Sequence, residues 1–222
     1  DQPPDAAAHL RHGHEVHVTT ATPATAHTST LRLAGSLAVA GLLSGLILVW
    51  AYLATAPRIE QNHREALAAA VTRVLPGTVR IEPALTSADD GQVVFAGRDA
   101  AGNLVGYAIP ADGPGYMDRV GLLFGYDPAR QRIIGMEVLE SRETPGLGDR
   151  IATDPHFRAN FTELAVDPPI VPVKKGDKTA AHEVDCITGA TISSEAVVAI
   201  LNRGLQRWRA EIDATLLIEG AP

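Results

Sequence analysis

Between Arg32 and Arg58 the chain runs for 24 residues, Leu33 to Ala56, without a charged side chain. No other stretch limits the fold so strongly. As a helix it would measure about 36 Å at a rise of about 1.5 Å per residue, enough to cross a bilayer core of about 30 Å with some tilt. Trp50 and Tyr52 lie near its end, where amphipathic rings prefer the headgroup region. Gly41 and Gly45 stand four residues apart, a spacing that lets membrane helices approach closely. A cleaved signal peptide is the alternative, but its apolar region would be shorter. The sequence therefore predicts one membrane helix over residues 31–56.

The flanking segments differ from it in kind. Residues 1–30 are rich in Pro, Ala, Thr and His and carry no apolar period, which predicts a disordered tail. Five of the eight histidines lie there, at 9, 12, 14, 17 and 27. A solvated tail is favoured over a metal site, since a flexible His-rich tract fixes no coordination geometry. Residues 57–222 make up the remaining domain. A net charge of −7 gives no basic surface for nucleic acid. The single cysteine, Cys186, forms no internal disulfide and no Cys-based metal site, and a small buried side chain is its expected role.

Residues 59–75 carry apolar positions near helical spacing and stop at Pro76-Gly77. Alternating runs follow at 79–81, 92–95, 104–109, 120–126 and 132–139, separated by turn residues such as Gly91 and Gly102. This spacing predicts a mostly antiparallel sheet. Asp154-Pro155 reads as a helix start, and 168–178 as an irregular segment. At the end of the chain Val197, Leu201, Leu205, Trp208 and Ile212 recur at three- and four-residue intervals, predicting a helix over 193–212 with one buried face. The fold class is α+β: one N-terminal transmembrane helix, then a soluble domain with a mostly antiparallel sheet and flanking helices.

Two stretches carry chemistry. From Asp185 to Ser194 the chain places Thr188, Thr191, Ser193 and Ser194 around Gly189 and Ala190, just before the last helix. Hydroxyls and unsatisfied N–H groups at a helix N-terminus favour a phosphate. The competing reading is that Thr191 or Ser193 simply caps the helix. From Glu143 to Asp149 the chain places Thr144, Pro145, Gly146, Leu147 and Gly148. Such a loop is stiff, and its backbone can approach a flat ligand closely. An ordinary surface turn reads the same way.

Asp185, Thr188, Gly189, Ala190, Thr191 and Ser193 together resemble the flavinylation motif of the FMN-binding domains of Rnf and Nqr respiratory complexes. The run from Glu143 to Gly148 resembles a second hallmark of that family, and Gly115-Tyr116 matches more loosely. The resemblance covers roughly residues 58–212. It implies FMN held covalently by a phosphoester on Thr191, with Thr188, Gly189, Ala190, Ser193, Asp185, Glu143, Thr144, Gly146, Leu147 and Gly148 around the cofactor. It implies a separate flavin transferase that uses FAD as donor. It also implies a G-type electron-carrying subunit among other subunits of a bacterial inner-membrane complex, with the soluble domain on the periplasmic side. The related C-type subunit of a Na+-translocating NADH:quinone oxidoreductase is the alternative.

Charge alone favours the opposite topology, because Arg58, Arg64 and Arg73 follow the apolar run and only Arg32 closely precedes it. That bias is small, and large domains translocate largely regardless of charge. For Asp185 two roles stay open, orienting the threonine hydroxyl or shaping a turn. With no Gly-x-Gly-x-x-Gly fingerprint after a strand there is no sign of an NAD(H) site, so catalysis by this chain alone is not expected. A membrane-tethered sensor or assembly domain would keep the same fold with no flavin on Thr191. A self-sufficient flavin reductase would need substrate-binding machinery that the sequence does not display.

Overall fold

The structure, a computed structural model, describes residues 30–88 and 90–219. The tail expected to be disordered lies outside the described residues up to position 29. The chain divides into two compact units, Asp1–Ala56 and Pro57–Pro222.

Helix α1 spans Thr30–Val74. Its stretch Thr30–Ile59 is long and apolar enough to cross a membrane, and none of it is buried against the protein. Leu42, Leu46, Leu48 and Trp50 are all exposed. A soluble core helix would have covered them, so their apolar surface calls for lipid. Two helices were expected, separated near Pro57, whereas the structure has one. Proline forfeits a single helical hydrogen bond and crowds the carbonyl four residues back. The apolar run before it and the amphipathic run after it both favour helix strongly enough to continue through that defect.

In the second unit a six-stranded sheet forms in simple chain order, every neighbouring pair antiparallel. Its strands are β1 (Arg80–Thr86), β2 (Val93–Arg98), β3 (Leu104–Pro114), β4 (Arg119–Asp127), β5 (Arg132–Ser141) and β6 (Leu164–Ala165). Two short helices, α2 (Arg150–Thr153) and α3 (Pro155–Ala159), lie between β5 and β6. Strands β7 (Val171–Val173) and β8 (Glu183–Asp185) pair in parallel as a second sheet. Helix α4 (Thr191–Glu219) closes the fold.

The expected α+β architecture is what forms: one apolar N-terminal helix, a mostly antiparallel sheet and flanking helices. Strand β3 runs five residues beyond its expected end at Ile109. Pro110 reads as a stop because it lacks an N–H, yet it pairs with Leu123 and the ladder continues to Pro114. The segment 168–178, expected to be irregular, contributes β7, a strand too short for any sequence period to reveal.

One face of the sheet packs on α4. Tyr107, Ile109, Leu122, Phe124 and Tyr126 meet Val197, Leu201, Leu205, Trp208 and Ile212 there, so the whole expected stripe is buried. Ala108 and Leu123 point to the other face and meet Ala70, Val71, Val74 and Leu75. Strands covered on both sides explain why 120–126 is apolar almost throughout.

That second face is a trough lined by glycine. Gly97, Gly106, Gly125 and Gly135 come from β2, β3, β4 and β5, and Gly97 pairs with Gly106 as Gly125 does with Gly135. A Cβ on Gly125 would collide with the Val74 carbonyl and lie 2.7 Å from Leu75 Cδ2. The chain leaving α1 therefore rests directly on the sheet backbone. Gly125→Ala is expected to destabilise the full chain by about 1–3 kcal/mol, because the obstruction is backbone and cannot rotate away. Thermal unfolding in detergent checks this, and an unchanged midpoint would mean that the trough yields.

Candidate functional site

Three segments converge at the N-terminal end of α4: the turn from β3 to β4, the loop from β5 to α2, and the first turn of α4 itself. They enclose a cleft of about 390 Å³ lined by Tyr116, Thr144, Leu147, Gly148, Gly189, Ala190, Thr191, Ile192 and Ser193. This volume lies in the usual range for small-molecule sites.

The local fold at Thr191 follows from its neighbours. Ala190 N–H donates to Ile187 O at 2.9 Å and closes a turn, and Gly189 adopts φ +85° within it. A side chain at Gly189 would be strained there whatever the free space. Ser194 is fully buried and secures the turn from below, accepting from Ile187 N–H at 3.0 Å and donating to Ala190 O at 2.9 Å. The Ser194 N–H also donates to Ala190 O, at 3.0 Å. The N–H groups of Thr191, Ile192 and Ser193 thus lie in the first turn, where an α-helix supplies them no partner. Thr191 itself is exposed. Ser193 is not, and its hydroxyl donates to Glu143 Oε2 at 2.8 Å.

Of the residues singled out from sequence, Thr144, Leu147, Gly148, Gly189, Ala190, Thr191 and Ser193 line this one cleft. Gly146 sits in the same loop with φ +78° and does not line it. Thr188 is exposed within the turn that Ala190 closes, and its carbonyl accepts from Arg150 Nη1 at 3.5 Å. Glu143 lies behind the wall, 5% exposed, with Tyr116 N–H at 2.8 Å and Met117 N–H at 3.1 Å on Oε1.

Asp185 lies apart from that group. It lines a neighbouring cleft of about 300 Å³, together with Asp154, Asn160, Lys175 and Cys186, and not the one that holds Thr191. Its Oδ1 accepts from Gly176 N–H at 3.1 Å and Lys178 N–H at 3.2 Å. Of its two open roles, geometry favours shaping a turn, because Oδ1 holds two amides of the loop that leaves β7.

The neighbouring cleft has its own electrostatics. Burial raises the Asp154 carboxyl, but amide bonds from Phe157 and His156 and the Arg150 guanidinium outweigh it and leave the pKa below the ordinary value. Asp154 caps α3 through those two amides. With a depressed folded pKa, this stabilisation is full above the unfolded value of about 4 and fades as pH falls through the folded one. Asp154→Asn should therefore lower the unfolding temperature at neutral pH and make no difference once the pH has fallen well below the folded pKa. A deficit that persisted unchanged in acid would refute the assignment. Burial, with the nearby charges of Glu195 and Asp185, pushes the Cys186 thiol up, and the group is buried as expected.

Ile192 and Arg150 were not among the residues chosen from sequence, and Tyr116 entered only through the looser match at Gly115-Tyr116. Tyr116 and Ile192 border the cleft while 60% and 56% exposed, and Leu147 is 52% exposed beside them. Ile192 carried a readable signal, being a large apolar residue off the buried stripe of its own helix. Arg150 carried none, because its contact with Thr188 spans 38 residues.

The site combines apolar borders for a flat ring with hydroxyls and first-turn amides for a phosphate, which is the donor set a flavin mononucleotide requires. Comparison with known proteins agrees. Residues 115–206 match the FMN-binding domain family, a range that contains all three cleft segments. The G subunit of the ion-translocating oxidoreductase complex of Methanosarcina acetivorans is 33% identical over 181 residues, covering 79% of this chain and 93% of that one. Its counterpart from Cereibacter sphaeroides is 33% identical over 188 residues, covering 79% and 84%. Among solved structures, the C-type subunit of the Na+-translocating NADH-quinone reductase from Parabacteroides distasonis has a TM-score of 0.47 at 27% identity, covering 53% of this chain and 60% of that one. The chain belongs to the family of G subunits of ion-translocating oxidoreductase complexes.

Proposed function

We propose that this chain is a membrane-anchored electron carrier that holds FMN as a phosphoester on Thr191 and works within a multi-subunit ion-translocating oxidoreductase. One observation carries the reading. The Thr191 hydroxyl is exposed at the first residue of α4, on a cleft whose first-turn amides suit phosphate and whose Tyr116, Leu147 and Ile192 suit a flat ring. Bound there, the flavin supplies the redox chemistry. The chain's own part is to hold the phosphate end at the helix N-terminus, to border the ring with apolar side chains and to keep the pair at the membrane.

Attachment requires Thr191 Oγ1 to displace AMP from FAD at the flavin-side phosphorus. One O–P bond forms, the pyrophosphate bond breaks, AMP departs, and the hydroxyl proton is lost. No carboxylate or imidazole lines the cleft among the described residues, and a threonine hydroxyl is a poor nucleophile unaided. The proton acceptor therefore comes from a separate flavin transferase, which fits an exposed Thr191. The soluble domain is assigned to the periplasmic side, against the weak charge bias around α1.

The test is to express the full chain with and without a flavin transferase and to read its intact mass. The expected result is a gain of one FMN less one water only when the transferase is present. Absence of any gain would refute the carrier reading and favour a tethered assembly domain. Labelling of single cysteines placed in exposed loops by a membrane-impermeant reagent on whole cells tests the periplasmic assignment, and protection of every loop would reverse it.

A further inference from the structure

Glu143 is the most constrained charged group near the cleft, and nothing in the proposed chemistry uses it. It is 5% exposed, and both carboxylate oxygens are spent on the protein. Oε1 is gripped by two successive backbone amides, Tyr116 N–H at 2.8 Å and Met117 N–H at 3.1 Å. Paired amides of this kind make a small concavity that binds an anion. Oε2 accepts from the Ser193 hydroxyl at 2.8 Å, in the first turn of α4.

Two glycines beside it leave the carboxylate its room. A Cβ on Gly115 would collide with Oε1. One on Gly148 would lie 2.5 Å from Oε2 and 2.8 Å from Ser193 Oγ. Glycine on both sides is what allows a carboxylate to sit where three segments meet. Each segment that it joins supplies the cleft: Tyr116 from the β3–β4 turn, Leu147 and Gly148 from the loop that Glu143 begins, and Thr191 to Ser193 from α4.

We propose that Glu143 is a positioning residue for the modification of Thr191: its buried carboxylate fastens the walls of the cleft to one another and so fixes where the Thr191 hydroxyl is presented. This rests on the reading of Thr191 as the flavin attachment site. Three segments held at one point confine a hydroxyl more closely than any would alone, and a displacement near 1 Å can slow a positioned reaction about a hundredfold.

The test compares initial rates of mass gain for the full chain in detergent, incubated with purified flavin transferase and FAD. Glu143→Ala leaves two amides and a buried hydroxyl unpartnered and should slow the gain roughly a hundredfold. Glu143→Gln should stay within a few-fold of the native rate. Its amide oxygen can accept from Tyr116 and Met117, while its Nε2 donates to a Ser193 hydroxyl that turns to accept. Hydrogen exchange at the Tyr116 and Met117 amides should quicken with Ala and not with Gln. Should the Ala variant not fold, Gly115→Ala provides a second test, since its Cβ would crowd Oε1 together with the Asp118 carbonyl and Val120 Cγ2, loosening the β3–β4 turn from Glu143, and should slow transfer at least about tenfold.

Equal slowing by Gln and Ala would overturn the proposal in favour of a direct role for the charge. Native rates in both Glu143→Ala and Gly115→Ala would overturn it outright. A native chain that gains no mass refutes instead the assignment of Thr191, and the positioning role falls with it.

Discussion

Replacing Thr191 by alanine should abolish covalent flavin and leave the fold intact. Flavin fluorescence on a denaturing gel should vanish, while the unfolding temperature of the flavin-free chain stays unchanged. The asymmetry follows from the position. Thr191 is exposed, and among the described residues its hydroxyl has no partner. Substitution of such a side chain usually changes stability by no more than about 0.5 kcal/mol. The turn beneath it is held by Ala190 and Ser194, which the substitution leaves in place. Thr191→Ser retains a hydroxyl at the same backbone position and should still accept the group at a reduced rate. Flavin persisting on the alanine variant would refute the assignment, and a collapsed fold would refute the description of the turn.

The largest effect on stability is expected at Leu75, which is wholly buried. A Cβ on Gly97 would stand 2.8 Å from Leu75 Cδ1, and one on Gly106 3.1 Å from Cδ2. The leucine lies against bare sheet backbone. Leu75→Ala should cost about 2–5 kcal/mol. The upper part of that range is expected, because a hydrogen-bonded sheet cannot close on the cavity as side chains would. Set against a typical total of about 5–15 kcal/mol, such a loss would leave the domain marginal. Urea denaturation of the full chain in detergent measures it, and a cost below about 1 kcal/mol would mean that the trough is not the main attachment of this face.

Both the trough and the site show where the sequence was readable. Local periodicity was enough for α4, whose five-residue stripe is buried as a set, and a local start signal for α3, where Asp154 caps as its place before Pro155 implies. The antiparallel meander was readable because each strand is bounded by a turn. Gly97, Gly106, Gly125 and Gly135 read only as weak points in strands. Their purpose exists once four strands align them beneath Val74 and Leu75, which no single segment encodes. The same holds at the site. Thr191 and its turn are consecutive residues and could be found together. Glu143 was found by the same resemblance, but its inward-facing carboxylate depends on contacts 27 and 50 residues away. Asp185 lies within the motif in sequence, yet the pairing of β8 with β7 directs it to a different cleft.

The central claim is that one hydroxyl, Thr191 Oγ1, carries the cofactor. The most direct measurement is peptide mapping by mass spectrometry of the protein purified from its native membrane, with fragmentation that places the added group. The expected result is one peptide heavier by FMN less one water, with the mass on Thr191 and none on Thr188, Ser193 or Ser194. An unmodified peptide, or the group on any of those three neighbours, would contradict the account.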